Sequence, residues 1–201
     1  MRRTLIIMVK EPRPGRVKTR LAADIGAVGA AWWYRHQTEQ LLQRLRDPRW
    51  EIVLAVSPDR QGLLSRVWPQ NVARMVQGPG DLGDRMGRLL RVFGGQTCII
   101  GSDVPDIDRP KVAQAFHMLG ARDAVLGPSE DGGYWLIGWN KRRPPPATLF
   151  KNVRWSTAHA MADTIASMPE ARIGFAETLR DVDDIEDLRM TRAGVRASSA
   201  P

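Results

Sequence analysis

The chain is poor in cysteine and histidine and has no long apolar run, and each shortage closes off a class of chemistry. A single cysteine, Cys98, in 201 residues excludes internal disulfides and cysteine-built zinc sites. The three histidines, His36, His117 and His159, fall in stretches read as helices and share no metal-ligand spacing. Any metal would therefore be held by carboxylates. No apolar run approaches the roughly 18–20 residues that span a bilayer, so a membrane is not an expected partner. A nucleophile elbow for Ser-His-Asp hydrolysis is missing. So is a Walker A loop, because Val17 stands where glycine would precede Lys18. The residues from Met1 to Val9 are too short an apolar run for a signal peptide and read as a first strand, with the cytoplasm as the expected compartment.

Positive charge is in excess. Lysine and arginine number 30 against 22 acids, a formal net charge of +8. The basic residues are spread along the chain, the longest run being Lys141-Arg142-Arg143. Neither an aromatic RNA-recognition strand nor a zinc finger accompanies them, so dedicated nucleic-acid binding is not expected. The charge favours small anionic ligands.

Apolar strand-like runs alternate with helical patterns. Strands are expected at Leu5–Val9, Glu51–Ser57, Val72–Val76, Thr97–Ile100, Asp123–Gly127, Tyr134–Gly138 and Arg172–Phe175. Helices are expected at Gly26–Leu45, around Leu63–Val67, and at Leu82–Phe93, Pro110–Leu119, Ser156–Met168 and from Asp184. The alternation predicts one doubly wound α/β domain over residues 1–192, with a mostly parallel sheet and a flexible tail at 193–201.

Five loops carry candidate chemistry. Gly101-Ser102-Asp103-Val104-Pro105 follows a buried strand, so Asp103 emerges where open α/β sheets hold ligands. Asp108 is better placed to cap the next helix, which leaves Asp103 without a structural task. The loop Lys10 to Leu21 gathers Lys10, Arg13, Arg16, Lys18 and Arg20 around Gly15 and suits phosphates, although a solvated basic loop would look the same. Gln77-Gly78-Pro79-Gly80-Asp81-Leu82-Gly83 offers Gly78 and Gly83 for close backbone approach and Gln77 as a paired donor and acceptor. In that loop Asp81 reads as a helix cap. Gly127 to Gly138 holds Asp131, Gly132, Gly133 and Tyr134, which suit a polar acceptor or sugar but equally make an Asp-Gly hairpin turn. Asp181 to Leu188 opens the last helix, with Asp183 and Glu186 spaced as a capping box. Five acids in this short run also suit a cation, and Asp103 and Asp183 could share Mg²⁺ or Mn²⁺ with phosphate oxygens.

In this order the loops resemble the rSAM/selenodomain-associated transferase 1 family, glycosyltransferases similar to 2-phospholactate guanylyltransferase within the nucleotide-diphospho-sugar transferase superfamily. The resemblance rests on Lys10–Leu21, Gly80–Met86, Gly101–Pro105, Gly127–Gly138, Val153–Thr157 and Asp181–Leu188. It departs at Ser102, Trp135 and Asp184, where threonine, tyrosine and threonine are more usual. The resemblance implies a single-domain, Rossmann-like GT-A fold. It implies that Lys18 and Arg20 hold donor phosphates, Gln77 reads the base, and Asp103 and Asp183 bind the metal. The expected reaction is sugar transfer from a nucleotide sugar to a small acceptor that Asp131 orients or deprotonates. The alternative is nucleotidyl transfer from an NTP to a phosphorylated small molecule with release of pyrophosphate.

Overall fold

The computed structural model describes residues 2–198. Seven strands form one sheet: β1 (Arg3–Lys10), β2 (Glu51–Ser57), β3 (Ala73–Val76), β4 (Gln96–Ile100), β5 (Ala124–Pro128), β6 (Tyr134–Asn140) and β7 (Ile173–Phe175). Their order across the sheet is β3-β2-β1-β4-β6-β5-β7. Six run parallel, and β6 alone is reversed, pairing antiparallel with both β4 and β5. The α/β architecture expected from the alternation is present.

The interior strands are apolar on both faces because helices cover both. Leu5, Ile7 and Val9 point to a core shared with Ala31, Tyr34 and Leu41 of α1 (Thr19–Arg44) and with Val112 and Phe116 of α4 (Arg109–Met118). Ile6, between them, faces Met86, Leu89 and Leu90 of α3 (Leu82–Val92). The remaining helices are α2 (Asp59–Leu64), α5 (Ala160–Ala166) and α6 (Ile185–Ser198). Asp108 caps α4, its carboxylate accepting from the Lys111 N–H, and Asp81 caps α3 in a reciprocal box with Asp84.

Three helices differ from expectation. The one expected around Leu63–Val67 is α2, Asp59–Leu64, which stops short of Val67 because Ser65 is extended at φ −61°, ψ 132°. The first helix starts at Thr19, not Gly26. Gly26 is a non-helical joint at φ 77°, ψ 155° between two helical pieces, and the short first piece lacks a long apolar stripe. Its Leu21 packs with Val182 and Leu188, which fastens this stretch to the acidic segment far along the chain. The helix expected over Ser156–Met168 is only Ala160–Ala166, because Ser156 takes φ 59° in a turn that helical backbone does not allow. The tail expected from residue 193 overlaps the end of α6, and residues 199–201 lie outside the described range. No helix among the described residues is long and apolar enough to cross a membrane.

Candidate active site

Strands β1 and β4 are neighbours at the point where the strand order reverses, with β2 and β3 on one side and β4 onward on the other. Connections from such neighbours leave in opposite directions and open a crevice beyond the carboxyl ends. A cleft of about 920 Å³ lies there, large enough for a nucleotide with a second group attached. Of the predicted residues Lys10, Lys18, Arg20, Gln77, Asp103, Asp131, Gly133, Tyr134 and Asp183 line it, and Gly15, Gly78, Gly83 and Gly132 do not.

At its centre sits Lys18. The residue takes a left-handed conformation, φ 46° and ψ 53°, immediately before α1. Its Nζ lies 2.7 Å from Asp103 Oδ2 and 2.9 Å from Asp183 Oδ1, with the side chain only 7 % exposed. Burial by itself would lower the lysine pKa. The Asp103 charge and hydrogen bond, followed by those of Asp183, outweigh burial and hold the ammonium above the ordinary lysine range. Burial would likewise raise the Asp183 carboxyl, yet the hydrogen bond and charge of Lys18, with help from Arg20, bring it below the usual carboxylate range. Arg20 reaches Asp183 Oδ2 at 3.1 Å from an exposed position.

Backbone and helix ends hold these groups in place. The Val182 N–H donates to the Asp103 carbonyl at 3.1 Å, fixing the acidic segment on the turn after β4. The buried Tyr34 hydroxyl accepts from the Lys10 N–H at 3.0 Å and shares a hydrogen with Ser102 Oγ at 2.8 Å, joining the ends of β1 and β4. The cap of α6 is displaced by one residue from the expected Asp183/Glu186 pair. Asp184 Oδ1 accepts from the Glu186 and Asp187 N–H groups, while Asp187 Oδ2 accepts from those of Asp183 and Asp184. The Asp183 carboxylate is therefore left free to meet Lys18.

Several predicted residues have structural tasks. Gln77 is buried and its amide donates to the Val9 and Ala55 carbonyls at 3.2 and 2.8 Å, so it clamps β1 to β2. Only its carbonyl oxygen is left for a base, a narrower role than the paired donor and acceptor expected. Gly83 packs inward: a Cβ there would come within 2.7 Å of Phe150 and 2.9 Å of Trp155. Gly15 and Gly78 are turn residues at φ 74° and 79°. Gly132, at φ 84°, presses on the Ala158 backbone. Asp131 makes the expected turn, its Oδ1 accepting from the Gly133 N–H at 2.8 Å, and still faces the cleft. The Tyr134 hydroxyl lies 3.3 Å from Thr164 Oγ1 and keeps its own hydrogen to donate.

Two features carried no prediction. Ser156, Thr157 and Ala158 form part of the cleft wall; the only sequence signal was the motif Val153–Thr157, which holds the first two. Asp181, inside the acidic run, also lines the cleft. Burial, then the negative charges of Asp183, Asp103 and Asp131, raise its pKa to about 6. Next to the cleft a second recess of about 370 Å³ is walled by Lys10, Arg13, Arg16 and Arg85, with Glu11 as its one carboxylate.

The donor set can be tested against a divalent metal. No group of three or more His, Cys, Asp or Glu side chains assembled for a metal occurs among the described residues. Asp103 and Asp183 do converge on one cation, the Lys18 ammonium, which stands in for a metal ion between two hard oxygen donors. Carboxylate chemistry and convergence fit Mg²⁺ or Mn²⁺, with the other ligand positions left to phosphate or water.

Comparison with known proteins follows the same outline. Residues 40–157, more than half of the chain, match the sequence profile of a family described as an uncharacterized protein conserved in bacteria (DUF2064). No curated protein is similar in sequence to the chain. Among solved structures, one from Desulfovibrio desulfuricans G20, assigned provisionally as a nucleotide-diphospho-sugar transferase, superposes with a TM-score of 0.88. It is 29% identical, over 99% of this chain and 90% of that one. CMP:2-keto-3-deoxy-manno-octonic acid synthetase, solved with CTP, has a TM-score of 0.61 at 12% identity, over 98% and 100% of the two chains. Rv0371c of Mycobacterium tuberculosis H37Rv, solved with manganese, has a TM-score of 0.53 at 12% identity, over 94% and 97%. The last two share the fold.

Proposed function

The chain belongs to the DUF2064 family, and from that premise we propose that it is a metal-dependent transferase with a nucleotide-diphosphate donor, moving a sugar to a small acceptor. The narrower resemblance, to the rSAM/selenodomain-associated transferase 1 family, is part of the same proposal. One observation carries the reading: an ammonium and two carboxylates meet at the switch point of the sheet, where a diphosphate and its counter-ion would lie.

As the bond between the sugar and its phosphate oxygen breaks, negative charge grows on the departing diphosphate. Lys18 and Arg20 are placed to neutralise it, and fixed charges in a cleft act more strongly than the same charges in water. A divalent ion held by Asp103 and Asp183 would add charge neutralisation at the diphosphate when bound. Asp131, on the turn between β5 and β6, would orient the acceptor hydroxyl or take its proton. Lys10 lies between cleft and recess, where its charge reaches both.

A second reading has its own support. The four cations of the adjoining recess suit a longer phosphate chain, as in nucleotidyl transfer from an NTP with release of pyrophosphate. Thermal melts separate the two. A donor at 100 times its Kd adds about 2.7 kcal/mol, a rise of several degrees for a chain of this size. One nucleotide sugar, with Mg²⁺ or Mn²⁺, is expected to raise Tm more than its parent NTP, and Asp103→Asn to abolish the metal-dependent part. A preference for an NTP would favour nucleotidyl transfer. No shift with either class would end the donor reading.

A further inference from the structure

The ion pairs of Lys18 have a consequence for how the site fills. Asp103 and Asp183 offer the oxygen donors a divalent cation would use, and the same two carboxylates already hold the Lys18 ammonium at 2.7 and 2.9 Å. A cation bound between them at normal oxygen distances would lie almost on top of that nitrogen. Two positive charges do not share such a position. Arg20 contributes a third contact, to Asp183 Oδ2, from the solvent side, so it does not fill the point of convergence.

We propose that Lys18 and a divalent metal are alternative occupants of the Asp103–Asp183 pair, so that the metal enters only as the lysine side chain leaves. The geometry supplies a way out. Lys18 sits at the junction of the basic loop and α1, and its side chain faces the open cleft. An anion in the cleft gives the ammonium a new partner and leaves both carboxylates for the metal. In this part the inference rests on the donor reading: a diphosphate would bind together with its metal, each assisting the other, by the exchange of one lysine. Lys18 thereby acts as a resident counter-ion before donor arrives and as a phosphate ligand afterwards. It keeps the acidic cluster compensated without requiring a metal at that time.

Manganese binding tests this without any turnover. Electron paramagnetic resonance of free Mn²⁺ gives the affinity of the intact protein and of Lys18→Met. The variant, whose carboxylates have lost their competitor, is expected to bind Mn²⁺ about tenfold more tightly. Equal or weaker binding by a folded Lys18→Met overturns the proposal. So does an absence of Mn²⁺ binding by both proteins, which leaves the donor reading to stand or fall on its nucleotide melts. Should Lys18→Met fail to fold, the unaltered protein provides the second measurement. Reductive methylation of Lys18, read by mass spectrometry, is expected to be slow in EDTA and faster when Mn²⁺ saturates the protein. A labelling rate unchanged by bound Mn²⁺ overturns the proposal as firmly.

Discussion

At the scale of single residues, the cleft collects more acid than its cations balance, and Asp181 bears the strain. Its folded-state pKa, about 6, lies above the ordinary aspartate value because it is partly buried beside Asp183, Asp103 and Asp131. A carboxyl raised on folding takes up a proton between the two values, so stability falls as pH rises from about 4 through 6 and stays lower above. Asp181→Asn is expected to stabilise the metal-free protein at pH 7.5 by about 1 kcal/mol, after allowance for its partial exposure to solvent. The gain should fade toward pH 4. Urea unfolding in EDTA at the two pH values measures it, and an equal gain at both would show that charge is not the cause. The types of residue in this cluster were legible in the sequence, but their pairing was not. Lys18 meets partners 85 and 165 positions away, and local pattern holds no information on such distances.

Elements place these residues through their ends. Asp184 and Asp187 cap α6 reciprocally, and this leaves the Asp183 carboxylate for Lys18. Asp184→Ala should cost about 1 kcal/mol in urea unfolding, with most of it restored by Asp184→Asn. If alanine costs nothing, the cap does not hold the start of α6. Helix starts with a single strong candidate, Asp81 and Asp108, are readable from the local run of residues alone. Near α6 five acids crowd one helix start, and local pattern does not say which of them caps it and which meets Lys18. The first piece of α1 escapes local reading for a related reason: its one fully buried leucine, Leu21, is held by Val182 and Leu188 from the far end of the chain. The expected helix at Ser156 fails on backbone conformation, which apolar spacing does not report.

The whole molecule is built around strands closed on both faces. Cys98, in the middle of β4, is fully buried, and burial pushes its thiol pKa well up. A thiol reagent is therefore expected to reach it only at the rate of global unfolding, and Mn²⁺ or a nucleotide that stabilises the fold should slow labelling further. Fast labelling of the native protein would mean that the sheet opens locally at the very strand that presents Asp103. The layered architecture was plain from the alternation of apolar runs with helical patterns, and the Asp-Gly hairpin reading already turned β6 against β5; the insertion of β6 between β4 and β5 was not legible, since local pattern does not report which strands are neighbours. That reversal matters beyond packing. A parallel strand reaches the ligand edge once and must then cross the whole sheet to return. Strands β5 and β6 instead arrive and leave as a hairpin, tied to each other and to β4 and β7 along their length. The turn at 129–133 can thus lengthen, shorten or change its side chains while the frame that carries Lys18, Asp103 and Asp183 keeps its register. Under the proposed reading, such a layout would let a lineage retune what is accepted and inherit, untouched, the apparatus that gives.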